Sequence, residues 1–377
     1  MRRLLLLVGG IVFVDTMFFA ALTPLLPDYR EEFELTKAGA GVLSAAYPVG
    51  ALVGGLPGGI ATARLGARTT AIAGLLVIAV TTFVFATADS IVVLDVSRFV
   101  QGFGSALAWT AGLAWLVSEA PAQRRGQTIG TAMAAAIVGA LFGPVLGGIA
   151  SVVGQGIAFG AAGLIAVGLA VWAAMTPAPP ATAPQPLSVF GRALRNRRIA
   201  LSIWFVLLPA LLFGTLGVLA PLRLEELGFT AVAIGVLWLC TAALEAVVNP
   251  VVGRVSDRTG RFAPMRMSVF CSAAVAASLP WPDTSLVLAA LVVAGGISFG
   301  SFWTPAMALL SDEAEASGLN YAYAFALINL AWAPGHAIGS AGGGALAEFT
   351  SDTVPYLILA GACLLTFVLL WPSKNSS

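Results

Sequence analysis

Apolar stretches long enough to cross a lipid bilayer recur from one end of this chain to the other, and no other feature constrains its fold as tightly. A spanning helix needs about 20 mostly apolar residues. Twelve such stretches are predicted, at 4–26, 40–62, 69–88, 91–115, 127–149, 156–176, 199–221, 230–252, 264–281, 284–309, 321–346 and 353–371. The loops between them leave no space for a soluble domain. Of 377 residues, 59% are hydrophobic and 10% are charged, against roughly 25% charged in a soluble domain, so lipid has to be the solvent. The expected fold is an all-α polytopic membrane protein. MRRLLLLVGGIVFV at the start has the form of a signal peptide, but no convincing small-residue cleavage site follows it and further spans do. It is read as span 1, retained.

The longest connection, 177–198, begins with the stiff stretch TPAPPATAPQP and ends in a basic segment holding Arg192, Arg195, Arg197 and Arg198. It divides the chain into an N-terminal bundle, 1–176, and a C-terminal bundle, 199–377, of six spans each. Cationic residues set the orientation. With a cytoplasmic N-terminus, the inner segments hold fifteen of them: Arg2, Arg3, Arg64, Arg68, Arg124, Arg125, the four linker arginines, Arg254, Arg258, Arg261, Arg266 and Lys374. The outer loops hold Arg30, Lys37 and Arg223. Both termini are therefore expected in the cytoplasm, with the chain multi-pass in a cell inner membrane. Trp115, Trp172, Trp281 and Trp371 fall near span ends, where interfacial tryptophans belong.

Several functions are excluded. A net charge of +1 gives no grip on nucleic acid. Cys240, Cys271 and Cys363 sit inside apolar runs and read as small buried side chains. A single histidine rules out a histidine metal site. No paired aspartates, no Ser/His pair and no phosphate-binding loop G-x-x-x-x-G-K-[ST] is present, which argues against a membrane enzyme and against an ATP-driven pump. No cofactor is implied, and nothing demands more than a monomer.

The two halves repeat. Arg64 and Gly66 after span 2 match Arg258 and Gly260 after span 8, and Trp109 matches Trp303, each pair 194 residues apart. Gly139, Gly143, Gly147 and Gly148 of span 5 match Gly335, Gly339, Gly343 and Gly344 of span 11, 196 apart. Two such halves about a pseudo-two-fold axis are the build of an alternating-access carrier, which holds its small-molecule substrate between them near the midplane.

Three motifs give a family likeness over the full length. GRVSDRTGR at 253–261 resembles the loop motif of the major facilitator superfamily. Arg98, Gln101, Gly102 and Gly104 follow that superfamily's R-x-x-Q-G-x-G pattern in span 4. Gly130, Gly139, Gly143, Pro144, Gly147 and Gly148 are spaced like the antiporter motif of its drug/proton export branch. Span 1, FVDTMFFAALTPLLPDY, is similar to the same branch and to vesicular amine carriers, which place an acid there. The resemblance implies proton-coupled efflux of a lipophilic or cationic compound. It also implies a cytoplasmic gate built on Gly253, Asp257, Arg258, Gly260 and Arg261. Ala63 stands where the first loop motif normally has an acid, so the charge latch is expected at Asp257 alone. An exporter of an endogenous metabolite or sugar derivative, or a proton symporter, is the alternative.

Ionisable residues inside spans cost about 2.5–3.5 kcal/mol on insertion scales and mark function by default. Asp15, Asp95, Arg98 and Glu245 are such residues. Asp15 and Arg98, on spans 1 and 4, either trade partners or form a static ion pair. Burial disfavours a carboxylate and a nearby guanidinium favours it, so a moving Arg98 would switch the proton affinity of Asp15. Asp95, three residues before Arg98, reads as its partner. Glu245 is a second proton or cation site, or a carboxyl packed against polar groups. Phe18, Phe19, Gln101, Ser105 and Trp109 frame the acid and suit a lipophilic cation, or are packing. Trp303 and Asn329, with Phe302, Tyr321, Tyr323 and Trp332, are further cavity candidates. His336 either titrates or bonds a freed backbone carbonyl. The span 5 glycines are expected to bring helices close at the interface between halves and to seal the cavity.

Overall fold

The computed structural model describes residues 1–121, 125–178, 185–260 and 262–370. Span 1 is α1 (Arg2–Ala20), a short 3₁₀ turn (Thr23–Leu25) and α2 (Leu26–Glu32). Spans 2 to 6 are α3 (Lys37–Leu65), α4 (Ala67–Ala86), α5 (Ile91–Glu119), α6 (Arg125–Val153) and α7 (Gln155–Met175). An eight-residue helix that the sequence reading did not anticipate, α8 (Leu187–Leu194), lies in the linker. Spans 7 to 10 are α9 (Arg197–Glu226), α10 (Ala231–Thr259), α11 (Phe262–Ser278) and α12 (Ser285–Ala316). Span 11 is α13 (Tyr321–Ala337), a π-helical turn (Ile338–Gly342) and α14 (Gly343–Phe349). Span 12 is α15 (Thr353–Leu369). Among the described residues, nine continuous or nearly continuous helices are long and apolar enough to cross a bilayer. α11 and α15 are shorter apolar helices, and broken span 11 is the twelfth.

Local chemistry sets the ends. Thr36, Asn196, Thr230 and Asn320 cap α3, α9, α10 and α13 by accepting a backbone N–H in the first turn. The caps of α3 and α10, Thr36 and Thr230, are themselves 194 residues apart. Gly66 and Gly260 end those two helices with φ of +88° and +84°, a conformation that costs glycine nothing. Gly253, the first residue of the loop motif, lies inside α10. Asp257 falls in the last turn of that helix and so starts no helix. Its side chain lies outside the described residues, as do Arg124, Arg261, Trp371 and Lys374.

The internal repeat is a packing repeat. A side chain at Gly139, Gly143 or Gly147 of α6 would strike Phe13, Met17 or Ala21, each through its backbone carbonyl. A side chain at Gly335, Gly339 or Gly343 would strike Leu207, Leu211 or Thr215 of α9, the residues 194 positions further on. These glycines therefore seat α6 on α1 and span 11 on α9, inside each half. Of the expected packing across the interface, Gly148, facing Val232 of α10, and its counterpart Gly344, facing the Lys37 carbonyl of α3, are the glycines placed for it. Between the halves the contacts are fewer and again paired. A Cβ built on Gly235 of α10 would lie 2.9 Å from the Pro144 carbonyl oxygen, and one on Gly41 of α3 would lie 2.5 Å from that of Ser340, so only glycine leaves room for either carbonyl. Gly130 has nothing within 4 Å of a built side chain, so its place in the motif has no steric basis here.

α3 is sandwiched. Gly50, Gly54 and Gly58 face α5, while Gly55 and Gly59 face α13 at Asn329, Ala322 and Tyr323. At the end remote from the linker, Lys37 Nζ meets Asp352 Oδ1 at 2.6 Å and the Lys37 backbone N–H donates to Glu348 at 2.9 Å. Arg30 pairs with Glu226 at 3.5 Å across the same end. Trp281 is exposed and Trp172 borders on exposed, as interfacial residues should be, but Trp115 is fully buried and does not mark a boundary.

Candidate functional site

α1 stops at Ala20 because Pro24 and Pro27 follow and cannot donate to the carbonyls one turn back. At a helix end the last carbonyls, here including those of Phe18 and Phe19, need other donors. Arg98 of α5 supplies them. Its Nη1 donates to Phe18 O at 3.0 Å and its Nη2 to Phe19 O at 3.3 Å. A cation at a helix C-terminus is also favoured by the helix dipole. Nη1 further donates to Gln101 Oε1 at 2.8 Å, and Gln101 Nε2 donates to Thr82 Oγ1 at 2.8 Å. The guanidinium lies 4.8 Å from the centre of the Tyr47 ring and 5.9 Å from that of Phe85. Arg98 is 4% exposed, and its Nε has no partner.

Asp15 is 6% exposed and accepts from the Tyr47 hydroxyl at 2.7 Å. The Ser105 hydroxyl lies beside it. Asp15 and Arg98 form no ion pair within 4 Å, which the static reading required. Tyr47 connects them, bonding the carboxylate through its hydroxyl and presenting its ring to the guanidinium. Gly102 fixes this position, since any side chain there would strike the Tyr47 carbonyl. α1, α3 and α5 thus meet at one tyrosine that the sequence reading passed over. The available signal was a phenol in mid-span, whose hydroxyl must find a partner when buried.

On the far side of Tyr47, Phe19 is the hub of an aromatic cluster that crosses to the other half. Its ring centre lies 5.2 Å from Tyr47, 5.7 Å from Trp332 and 5.0 Å from His336. Trp332 donates to Asn329 Oδ1 at 3.0 Å, leaving the Asn329 amide nitrogen buried without a partner. His336 makes no hydrogen bond among the described residues, so it does not serve a freed carbonyl. Phe18 is buried in the core and offers the site its carbonyl alone.

Other candidates stand apart. Asp95 is not the partner of Arg98: it forms no ion pair among the described residues, and its Oδ1 is buried unpartnered. It borders an apolar cleft of about 380 Å³ between α3 and α5, near Ala341. Glu245 Oε1 accepts from Asn249 at 3.3 Å and fits the notch left by Gly300 of α12. No hydrogen bond or ring contact joins Glu245, Trp109 or Trp303 to the Asp15 network among the described residues.

A polytopic helix bundle with a buried acid–phenol–guanidinium network beside the junction of two related halves is the build of a membrane transporter. The chain belongs to the Major Facilitator Superfamily, whose family model matches residues 8–336. The MFS-type transporter ppzB of Metarhizium rileyi (strain RCEF 4871) is 34% identical over 128 residues. That match spans 33% of this chain and only about a quarter (26%) of the relative. The uncharacterized MFS-type transporter YcaD of Escherichia coli O6:K15:H31 is 23% identical over 377 residues, covering 98% of this chain and 95% of that one. Among solved structures, the nucleoside transporter NupG superposes with a TM-score of 0.76 at 17% identity, covering 98% of this chain and 100% of that one. Members of the superfamily are transporters and not enzymes.

Proposed function

We propose that the protein is a proton-coupled secondary exporter of a small lipophilic or cationic compound, working by alternating access. Residues 1–176 and 199–377 are its two moving halves, joined by the linker 177–198. It acts as a monomer in a cell inner membrane with both termini cytoplasmic. Asp15 alternates between a proton and the substrate, Arg98 responds to its charge, and Glu245 is a second ionisable site. Gly253, Asp257, Arg258, Gly260 and Arg261 form the cytoplasmic gate. The observation that carries this reading is the placement of Asp15. It is a buried carboxylate held by neutral hydroxyls, those of Tyr47 and Ser105, without a permanent counter-ion, next to an aromatic cluster shared by both halves. A carboxylate so placed is free to exchange partners, and aromatic rings favour a cation beside it.

The test is proton flux in everted vesicles holding an imposed pH gradient, with wild type and Asp15→Asn, on adding lipophilic cations, neutral drugs or sugars. Proton release on adding a cation, lost in the variant, is expected. A response to sugars or metabolites only would instead support the second reading, a polar-metabolite carrier or proton symporter. That reading is favoured by the unpartnered Asn329 amide, a hydrogen-bond donor suited to a polar substrate, and by the fold shared with a nucleoside transporter.

A further inference from the structure

Four arginines crowd the end of the linker: Arg192 and Arg195 at the close of α8, and Arg197 and Arg198 in the first turn of α9. All four are exposed, and none of their side chains has an ion-pair or hydrogen-bond partner among the described residues. No aspartate or glutamate occurs between Glu119 and Glu225, so no acid nearby in sequence answers them. Arg197 and Arg198 also sit unfavourably within the fold, because α9 has no acid in its first turn and cations there oppose the helix dipole. No ion pair among the described residues neutralises this charge, which stays open to an anionic partner.

The patch is held in place. Gln185 Nε2 donates to Gly318 O at 2.7 Å, and Gln185 Oε1 accepts from Asn320 N at 2.9 Å. The Gln185 carbonyl accepts from the Tyr323 hydroxyl at 2.8 Å. Phe190 then packs on the Tyr323 ring at 5.5 Å. These contacts fasten α8 to the turn between α12 and α13 with its basic end outward. Leu187 is left 52% exposed at the other end of the same short helix. The apolar run of α9 starts at Ile199, directly after Arg198, which sets the guanidinium groups at the membrane boundary.

We propose that this segment is a docking surface for the headgroups of anionic phospholipids in the adjoining leaflet. Phosphate supplies the missing charge in the bidentate geometry that guanidinium favours, and Leu187 meets the acyl layer. A cationic cluster beside a membrane helix attracts such lipids by about 1 kcal/mol per residue. Because α8 is tied to the α12–α13 turn, and Tyr323 there touches Gly59 of α3, a bound lipid also braces a contact between the halves.

The test uses purified full-length protein titrated with phosphatidylglycerol or phosphatidylcholine, read by native mass spectrometry and thermal unfolding. Wild type is expected to bind and be stabilised by phosphatidylglycerol in preference. The R192Q/R195Q variant should lose roughly thirty-fold in that affinity, and R192K/R195K should keep most of it. Equal response to both lipids, an unchanged preference in R192Q/R195Q, or the same stabilisation by free glycerol phosphate would each overturn the proposal. None of these readouts involves transport, so the result is independent of which substrate the protein carries.

Discussion

The Tyr47 hydroxyl donates to the Asp15 carboxylate at 2.7 Å, while the same ring lies 4.8 Å from the Arg98 guanidinium. The acid and the cation expected to pair are therefore joined through a neutral residue on a third helix. A direct ion pair would have neutralised Asp15; Arg98 instead ties α5 to α1 through the Phe18 and Phe19 carbonyls. A phenol leaves the carboxylate able to take another partner and makes α3 a party to the exchange.

Tyr47→Phe removes only the hydroxyl, and interhelical hydrogen bonds in membranes are worth about 0.6 kcal/mol on average and at most about 1.7. The variant should insert and unfold close to wild type while coupled transport falls. Asp15→Asn and Tyr47→Phe should be non-additive, because the first weakens and the second removes the same bond. A double-mutant cycle on transport rate measures this, and strict additivity would separate the two residues functionally.

Gly139 and Gly143 approach the backbone carbonyls of Phe13 and Met17 so closely that even a methyl group forces α6 off α1. Gly139→Ala and Gly143→Ala should each destabilise by about 1–3 kcal/mol, the usual effect of overpacking. The repeat predicts the same for Gly339→Ala against Leu211. Gly130→Ala, with open space around it, should be neutral or slightly stabilising, since alanine is the better helix former. Thermal unfolding of the four variants checks the ranking.

Most of the fold could be read in the sequence because the bilayer demands it. Span length and the 194-residue repeat survive any detail of packing. The glycine stripe at Gly139, Gly143 and Gly147 announced that some helix comes close, but spacing alone does not say which. Only the structure identifies α1. Helix α8 went unseen because LSVFGRAL is too short to show a period and lies between a proline-rich stretch and arginines. Tyr47 was missed because charge was used as the mark of function, and a phenol carries none. The GRVSDRTG segment was read as a loop from its glycines, yet α10 runs through Gly253, whose small side helps a helix pack or turn only where its neighbours require it.

Lys37 and Asp352, at 2.6 Å, close the end of the molecule remote from the linker, with both side chains roughly three-quarters buried. Reversing one charge, Lys37→Glu, puts like charges together there and next to Glu348, which accepts from the Lys37 backbone N–H. The closed arrangement should lose about 1–2 kcal/mol, the lost pair plus the new repulsion. Restoring the pair in reverse, with Asp352→Lys added, should recover much of it. Labelling of an engineered cysteine at Phe19 from that side should rise in the single variant and fall back in the double.

Gln185 reads the α12–α13 turn with both ends of its amide, donating to Gly318 O and accepting from Asn320 N. Gln185→Ala loses both bonds but leaves the turn free to bond water at this partly exposed site, so the loss should be about 1 kcal/mol. Gln185→Glu is nearly the same shape and keeps the acceptor for Asn320, yet it sets an anionic oxygen against the Gly318 carbonyl. Two acceptors cannot share a hydrogen that neither carries. If the amide donor matters, glutamate should therefore be at least as damaging as alanine, although it preserves more of the side chain. If thermal unfolding instead ranks glutamate near wild type, the four nearby arginines are attracting the new charge away from Gly318, and the clasp rests on the Tyr323 hydroxyl bond to the Gln185 carbonyl, which both variants retain.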